Sequence, residues 1–362
     1  MKKYKVGVIG GTGMVGQRFV TLMQGHPWFQ LAAIAASPRS AGKRYEDAVA
    51  GRWAMDTPIP DEAKDMVLLS AQDDVARIAS MVDFIFSAVD MKKEEIQALE
   101  EAYARHECPV VSNNSAHRWT PDVPMVIPEV NPEHIQVIEA QRKRLGTRRG
   151  FIAVKSNCSI QSYVPALSPL RQFGIEKILV CTYQAISGAG KTFETWPEMV
   201  DNLIPYIGGE EEKSEQEPLK VWGRVENGII VNDDPPAITA QCLRVPVSNG
   251  HTAAAFVSFK NKPTMDQMKQ AWEKFKGRPQ ELNLPTAPQQ FLHYFEQPDR
   301  PQAKLDRDLE GGMAVSIGRL RPDTQYDYKF VSLSHNTLRG AAGGAVLLAE
   351  LLCAEGYIEP RA

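Results

Sequence analysis

The stretch "YKVGVIGGTGMVGQRF", residues 4–19, sets the architecture of the N-terminal half of the chain. It begins with a short apolar run that predicts a buried strand and ends in a pattern that predicts a helix. Glycines between them satisfy the spacing G-x-G-x-x-G, which lets the backbone approach a pyrophosphate at the helix N-terminus. A tight turn without a ligand is the alternative. The predicted dinucleotide-binding residues are Gly11, Thr12, Gly13, Met14, Val15 and Gly16.

The end of the second predicted strand, "LAAIAAS" at residues 31–37, indicates which dinucleotide is bound. An Asp or Glu at this point accepts a hydrogen bond from the ribose 2′-hydroxyl of NAD. Here the chain continues "SPRSAGK", with Ser37, Arg39, Ser40 and Lys43 and no carboxylate. These residues suit a 2′-phosphate, so the sequence favours NADP over NAD. A solvated basic turn is the alternative.

Strand and helix patterns alternate through the first half, at residues 82–89, 92–106 and 109–113, which predicts a doubly wound parallel sheet. The polar loop 112–131 follows at the carboxyl edge of that sheet, where such folds bind ligands. From about residue 176 the strands become longer and the helices fewer, which predicts a separate α+β domain.

The domain boundaries follow from these patterns. The apolar segment 341–356 predicts a last helix that returns to the first domain. We therefore expect residues 1–157 with 336–362 to form a Rossmann domain, and residues 158–335 to form the second domain.

Composition excludes several classes of protein. The 362 residues suffice for two domains, and the net charge of −3 comes without a basic stripe, which argues against nucleic acid as a partner. No apolar run is long enough to span a membrane, and the one near the N-terminus is too short for a signal peptide. Five widely spaced cysteines without zinc-binding spacing indicate free thiols, a cytoplasmic location and no metal site. The acidic segment 208–217 is the expected mobile part.

Cys158 is the cysteine whose setting suggests reactivity, within "KSNCSIQSYVPAL" at residues 155–167. It stands between an apolar run and a predicted helix, and a helix N-terminus lowers the pKa of a nearby thiol. Pro165 allows only a short or kinked helix there. The alternative is a small core residue.

Nine segments, in order along nearly the whole chain, resemble the aspartate-semialdehyde dehydrogenases, most closely their archaeal and fungal branch. They are "GGTGMVGQRF", "SNNSAHR", "VIPEVN", "KSNCS", "TYQAISGAGK", "GGEEEK", "RVPVSNGH", "RPQAKLDRDLEGGMAVSIGRLR" and "NTLRGAAGGAV". The resemblance implies conversion of L-4-aspartyl phosphate and NADPH to L-aspartate 4-semialdehyde, NADP and phosphate, toward threonine, methionine and lysine. It also implies a Rossmann domain completed by the C-terminal helix, and a catalytic sheet domain that forms homodimers or homotetramers.

The resemblance further implies the roles of individual residues. Cys158 would be the nucleophile, His251 the acid and base that takes the thiol proton, and Gln184 an orienting group. Arg244 would bind the substrate α-carboxylate and Glu210 its ammonium, with Glu211 as the rival for that role. The remaining predicted residues are Arg118, Lys213 and Asn114 at the phosphate, Asn157 beside the nucleophile, Ser187, Gly188 and Asn336 at the nicotinamide, and His117 lining the site.

Two other functions stay open at this point. An acyl-CoA reductase of the malonyl-CoA type would use the same cysteine chemistry, but a malonyl group has no ammonium for Glu210. A non-catalytic NADP-binding redox sensor would have lost its nucleophile or its base, whereas Cys158 and His251 are both present.

Overall fold

The computed structural model describes residues 3–361, which form two main sheets. The first sheet is parallel throughout, in the order β3-β2-β1-β4-β5-β7-β6. Its strands are almost entirely buried apolar runs, as expected for a parallel sheet covered on both faces. They are β1 (Tyr4–Ile9), β2 (Phe29–Ala36), β3 (Leu69–Ser70), β4 (Phe84–Ser87), β5 (Val110–Ser112), β6 (Met125–Val126) and β7 (Ile152–Lys155).

The helices of the first half connect these strands, as the alternating pattern predicts. The order of strands reverses between β1 and β4, and in open α/β sheets ligands bind at such a switch point. The helices are α1 (Met14–Met23), α2 (Tyr45–Val49), α3 (Asp61–Lys64), α4 (Val75–Met81), α5 (Lys93–Arg105) and α6 (Ile138–Leu145), with a 3₁₀ helix at Pro132–Val137.

The last helix, α12 (Ala342–Ala354), completes the first domain. Every residue from Ala342 to Cys353 is buried, as expected for a helix that is apolar on all sides. It packs against α1, β5 and β7, and its leucines share a core with Phe19 and Phe86, whose rings stack at 4.4 Å. The predicted return of the chain is confirmed.

The second sheet is mixed, with the order β11-β8-β12-β15-β14-β13. Its outer strand pairs, β11 with β8 and β13 with β14, are parallel, and the pairs between them are antiparallel. Its strands are β8 (Ile175–Gln184), β11 (Ala237–Arg244), β12 (His251–Phe259), β13 (Leu292–Phe295), β14 (Val315–Pro322) and β15 (Tyr328–Ser334), while β9 (Arg224–Glu226) and β10 (Ile229–Val231) form a separate hairpin.

The helices of the second half are fewer and mostly short, which confirms the predicted α+β character. They are α7 (Val164–Leu167), α8 (Glu210–Val221), α9 (Met265–Lys274), α10 (Arg278–Glu281) and α11 (Ala303–Asp306), with 3₁₀ turns at Ile160–Ser162, Ser168–Phe173, Ile186–Ala189, Pro197–Met199 and Leu309–Gly312. The predicted boundaries between the two domains stay a prediction.

Segment 208–217, which the sequence predicts to be mobile, instead forms the beginning of α8. Glu210, Ser214 and Glu217 are buried on one side of this helix. Glu210 and Glu217 both contact Asn157, far away in the chain, so the acidic composition is not that of a solvated loop.

Within residues 3–361, no helix has the length and apolar character needed to cross a membrane. In the same residues, no three His, Cys, Asp or Glu side chains are grouped so that they could hold a metal ion.

Candidate active site

Cys158 lies just beyond the carboxyl end of β7, and His251 is the first residue of β12. The Sγ atom of Cys158 and the Nε2 atom of His251 are 3.5 Å apart. The 3₁₀ turn Ile160–Ser162 follows the cysteine and α7 begins at Val164, so the helix there is short, as Pro165 predicts. The two elements thus bring together residues that are 93 positions apart in the chain.

His251 is fixed by a backbone group. The Ala185 N–H donates to Nδ1 of the ring at 3.0 Å, so Nδ1 is an acceptor and the neutral ring carries its proton on Nε2. Burial, aided by the charge of Arg244, lowers the pKa of His251 well below its usual value. The imidazole is therefore neutral near pH 7 and presents an Nε2–H group to Cys158.

The pKa of the Cys158 thiol is raised rather than lowered. Burial is the main cause and the Glu210 carboxylate adds to it, while the positive charges of Lys155, Arg118 and Arg244 act in the opposite direction. Cys158 is followed by the 3₁₀ turn Ile160–Ser162 and then by the short helix α7, and any lowering of this pKa by their dipoles is outweighed by burial.

A cavity of about 280 Å³, here called the cysteine cavity, opens in front of Cys158. It brings together most of the predicted substrate and nicotinamide residues from both halves of the chain. The predicted residues that line it are Val15, Asn114, Arg118, Asn157, Cys158, Ser187, Gly188, Glu210, Lys213 and Asn336, and it is also lined by Lys155, Thr337 and Gly340.

Glu210 is held at this cavity by three polar side chains. Lys213 donates to it at 2.8 Å, Asn157 at 3.0 Å, and Gln184 at 3.3 Å. Burial raises the pKa of Glu210, but these partners outweigh burial and lower it below the usual value. Glu210 is therefore an anion. Glu211, the other candidate for binding the substrate ammonium, instead accepts a hydrogen bond from the backbone N–H of Cys242 on β11.

Arg244 and Gly188 lie next to each other beside the ring of His251. Nη1 of Arg244 donates to the Ala185 carbonyl at 2.8 Å. A Cβ atom on Gly188 would lie 2.9 Å from this nitrogen and 3.1 Å from the His251 ring, so a side chain here would require the guanidinium to shift. Asn336 joins the same corner, since its side chain accepts from the Gly250 N–H and donates to Ser187.

The glycine loop borders a second cavity of about 370 Å³, here called the glycine-loop cavity. A Cβ atom on Gly16 would lie 2.1 Å from the Gly10 carbonyl oxygen, and one on Gly11 would lie 2.3 Å from Ile34, so the turn is tightly packed. A Cβ atom on Gly13 would lie 3.7 Å from the nearest atom, the Gly10 carbonyl oxygen, which is an ordinary contact distance. This cradle fits a dinucleotide whose phosphates approach the loop, with Met14 at the start of α1.

The predicted 2′-phosphate residues divide into two groups. Ser37 lines the glycine-loop cavity, whereas Arg39 is exposed and neither it nor Ser40 borders the cavity. Arg52, which the sequence analysis missed, lines this cavity and donates twice to the Ala48 carbonyl. No sequence signal marks Arg52, because it stands outside the strand-turn-helix motif.

The structure gives His117 a smaller part in the site, and Glu217 a larger one, than the sequence predicts. His117 is buried against Thr120 and the Gln97 carbonyl and does not border the cysteine cavity. Glu217, which the sequence analysis missed, is completely buried and forms an ion pair with Arg118.

Comparison with known proteins places this arrangement in a family. Residues 5–138 match the family model described as "Semialdehyde dehydrogenase, NAD binding domain", and residues 167–339 match "Semialdehyde dehydrogenase, dimerisation domain". An aspartate-semialdehyde dehydrogenase from Archaeoglobus fulgidus is 42% identical over 98% of this chain and 100% of the relative. The chain belongs to the aspartate-semialdehyde dehydrogenase family.

Other members of the family support the same assignment. The enzyme of that name from Aspergillus fumigatus is 40% identical over 98% of this chain and 99% of its own length. The crystal structure of the Candida albicans aspartate-semialdehyde dehydrogenase with NADP superposes with a TM-score of 0.88 at 39% identity, covering 99% of this chain and 100% of that one. Both the fold and the archaeal and fungal resemblance are confirmed.

Proposed function

We propose that this chain is an NADP-dependent aspartate-semialdehyde dehydrogenase that converts L-4-aspartyl phosphate to L-aspartate 4-semialdehyde through a cysteine thioester. The observation that carries the proposal is the cysteine cavity, where a nucleophile, a carboxylate and the basic side chains of Arg118, Lys155 and Lys213 meet beside the glycine loop. The substrate presents the complementary groups, which are an acyl phosphate, an ammonium and a carboxylate.

The substrate is held by charge. Arg118 and Lys213 bind its phosphate, and Asn114 is a neutral donor beside them. Glu210 accepts from the ammonium, because its carboxylate stays ionised in the cavity. Arg244, whose charge acts on Cys158, binds the α-carboxylate, while Gln184 holds Glu210 in place.

Covalent chemistry takes place at Cys158. The Cys158 thiol first gives its proton to solvent in the cavity. The resulting thiolate attacks the acyl carbon, the bond from that carbon to the phosphate oxygen breaks, and phosphate leaves with its electron pair. NADPH bound along residues 11–16 and near Ser187, Gly188 and Asn336 would supply the hydride that reduces the thioester. The carbon–sulfur bond then breaks, releasing the aldehyde and the thiolate.

His251 serves in this scheme as a hydrogen-bond donor. Its Nε2–H first stabilises the thiolate and then donates to the oxygen of the thiohemiacetal. The base role expected from the sequence requires a free Nε2 lone pair, which the neutral ring lacks while Nδ1 accepts from Ala185.

The test of the function is the reverse reaction. Purified protein is mixed with NADP and aspartate semialdehyde, and NADPH absorbance is followed with and without inorganic phosphate. We expect phosphate-dependent reduction that Cys158→Ala abolishes. Turnover with coenzyme A in place of phosphate would instead establish the acyl-CoA reductase. If neither reaction occurs while the protein still binds NADP, the function that remains is that of a non-catalytic redox sensor.

The finer features of the family are part of the same proposal. We expect the product to feed lysine, threonine and methionine synthesis. We also expect a homodimer formed through the second domain, which matches the dimerisation model and exposes Tyr183, Val200, Leu203 and Tyr206. Light scattering should give the mass of two chains, and four chains would indicate the tetramer. The cytoplasmic location stays a prediction.

A further inference from the structure

Glu217 is a buried carboxylate that has no role in the scheme above. It is 0% exposed and lies on α8, on the side that also carries Glu210 and Lys213, at spacings of seven and four residues. Unlike those two residues, it does not border the cysteine cavity but lies behind it. A buried carboxylate is costly unless each oxygen is paired, so its partners indicate its purpose.

The two oxygens of Glu217 contact two different parts of the site. Oε1 accepts from Nη1 of Arg118 at 2.9 Å, and Oε2 accepts from the backbone N–H of Asn157 at 2.6 Å. Arg118 is the proposed phosphate ligand, and Asn157 directly precedes the nucleophile. One carboxylate therefore joins the phosphate site to the peptide that carries Cys158.

Arg118 is oriented on three sides. Besides the bond to Glu217, its Nε donates to the Lys155 carbonyl at 3.1 Å and its Nη2 to the Asn113 carbonyl at 3.5 Å. A guanidinium has five N–H groups in a rigid plane, so these contacts leave others to face the cavity that Arg118 lines. In the part of the chain that the structure describes, Glu217 is the carboxylate that forms an ion pair with this arginine.

The second phosphate cation is held in the same way. Lys213 forms an ion pair with Glu210 at 2.8 Å, so each cation of the proposed phosphate pair has a glutamate partner from α8. We propose that Glu217 is a positioning residue, which fixes the guanidinium of Arg118 for phosphate and keeps it aligned with the Cys158 peptide. This inference rests on the proposed function, since it takes phosphate as the ligand of Arg118.

The test uses inorganic phosphate and the variant Glu217→Gln. The amide keeps an oxygen for the Asn157 N–H but loses the charge that orients Arg118. Two quantities are measured: the KM for phosphate in the reverse reaction, and the phosphate concentration that half-protects Cys158 from iodoacetamide, followed by mass spectrometry. We expect both to rise about tenfold, while kcat at saturating phosphate changes far less.

Matched variants separate positioning from general damage. Glu212→Gln removes the same charge from the exposed side of α8 and should leave both quantities unchanged. In an Arg118→Gln background, Glu217→Gln should add no further loss of phosphate binding, because Glu217 acts through Arg118. An equal further loss in that background, or unchanged phosphate binding in the single variant, would overturn the proposal.

Two additional measurements keep the outcomes distinct. If Glu217→Gln does not fold, Glu217→Asp takes its place in the test. This variant keeps the charge but shortens the side chain. Unchanged phosphate binding in it, at normal NADP affinity, would contradict a positioning role for Glu217. Protection of Cys158 requires no turnover. A parent protein that phosphate protects but that does not reduce NADP would refute the proposed function, while the protection series would still decide the role of Glu217.

Discussion

Cys158 is half-buried, and the carboxylate of Glu210 acts on it, which affects the pH at which its thiol ionises. Burial raises the pKa of the thiol and the negative charge of Glu210 raises it further. Glu210→Gln removes that charge, so the thiolate should form at lower pH. We expect the pH profile of Cys158 alkylation by iodoacetamide to shift toward lower pH.

The control for this experiment is Glu211→Gln. Glu211 contacts β11 and is not among the charges that act on Cys158. Glu211→Gln should leave the pH profile of Cys158 alkylation unchanged. An equal shift in both variants would show that the shift does not come from the charge of Glu210.

Gly188 controls the position of Arg244 through lack of a side chain. In Gly188→Ala, the new methyl group would lie 2.9 Å from Nη1 of Arg244, so the guanidinium must move from the Ala185 carbonyl. We expect the KM for aspartate semialdehyde to rise about tenfold, the size of one lost charged hydrogen bond. Gly208→Ala, where the nearest atom is 3.7 Å away, should keep the parent KM. Equal KM values in both variants would contradict this role.

At the scale of elements, the loop between β1 and α1 uses its glycines for two different purposes. Gly16 packs against the Gly10 carbonyl, so Gly16→Ala forces the turn apart and should lower the melting temperature. A Cβ atom on Gly13 would make only an ordinary contact within the protein but would enter the cavity, so Gly13→Ala should keep the melting temperature and weaken NADP binding, measured by fluorescence titration. Loss of melting temperature in Gly13→Ala, or its retention in Gly16→Ala, would reverse this assignment.

The burial of helix α8 is a feature that the sequence alone does not predict. Its buried residues Glu210, Ser214 and Glu217 follow a helical spacing, but they are polar, so no apolar period marks the helix as buried. Glu217 is buried because Arg118 lies opposite it, and that partner is 99 positions away. A single sequence does not pair such residues, so the acidic segment was wrongly expected to be mobile.

Elements with local signals were predicted well. β1, α1 and α12 have apolar runs, glycines or a fully apolar surface, and each was expected within a few residues of its place. The two-residue strands β3 and β6 were missed, because so short a pairing depends on neighbouring strands and not on its own residues. Likewise, the glycine motif predicted Gly13 at the dinucleotide cavity, whereas Arg52 enters it only through the tertiary fold.

At the scale of the whole molecule, one buried ion pair ties distant segments together. Arg339, just before α12, donates to Glu129 from the loop after β6, and both side chains are 0% exposed. Its Nε donates to Gln161 in the turn after Cys158, and its guanidinium lies 4.4 Å from the ring centre of Phe291. The pair therefore connects the first sheet, the nucleophile turn and the second half.

Removing one partner of this pair should be costly. Glu129→Gln leaves the guanidinium of Arg339 buried without a counter-charge, and losses of this kind amount to about 3–5 kcal/mol in the free energy of unfolding. Urea unfolding followed by circular dichroism measures the loss. The matched control is Glu296→Gln, which breaks the partly exposed pair with Lys269 and should cost at most about 1 kcal/mol. If both variants lose the same small amount, Arg339 does not hold the two halves together, because a pair that joins buried segments must cost more to break than one at the surface.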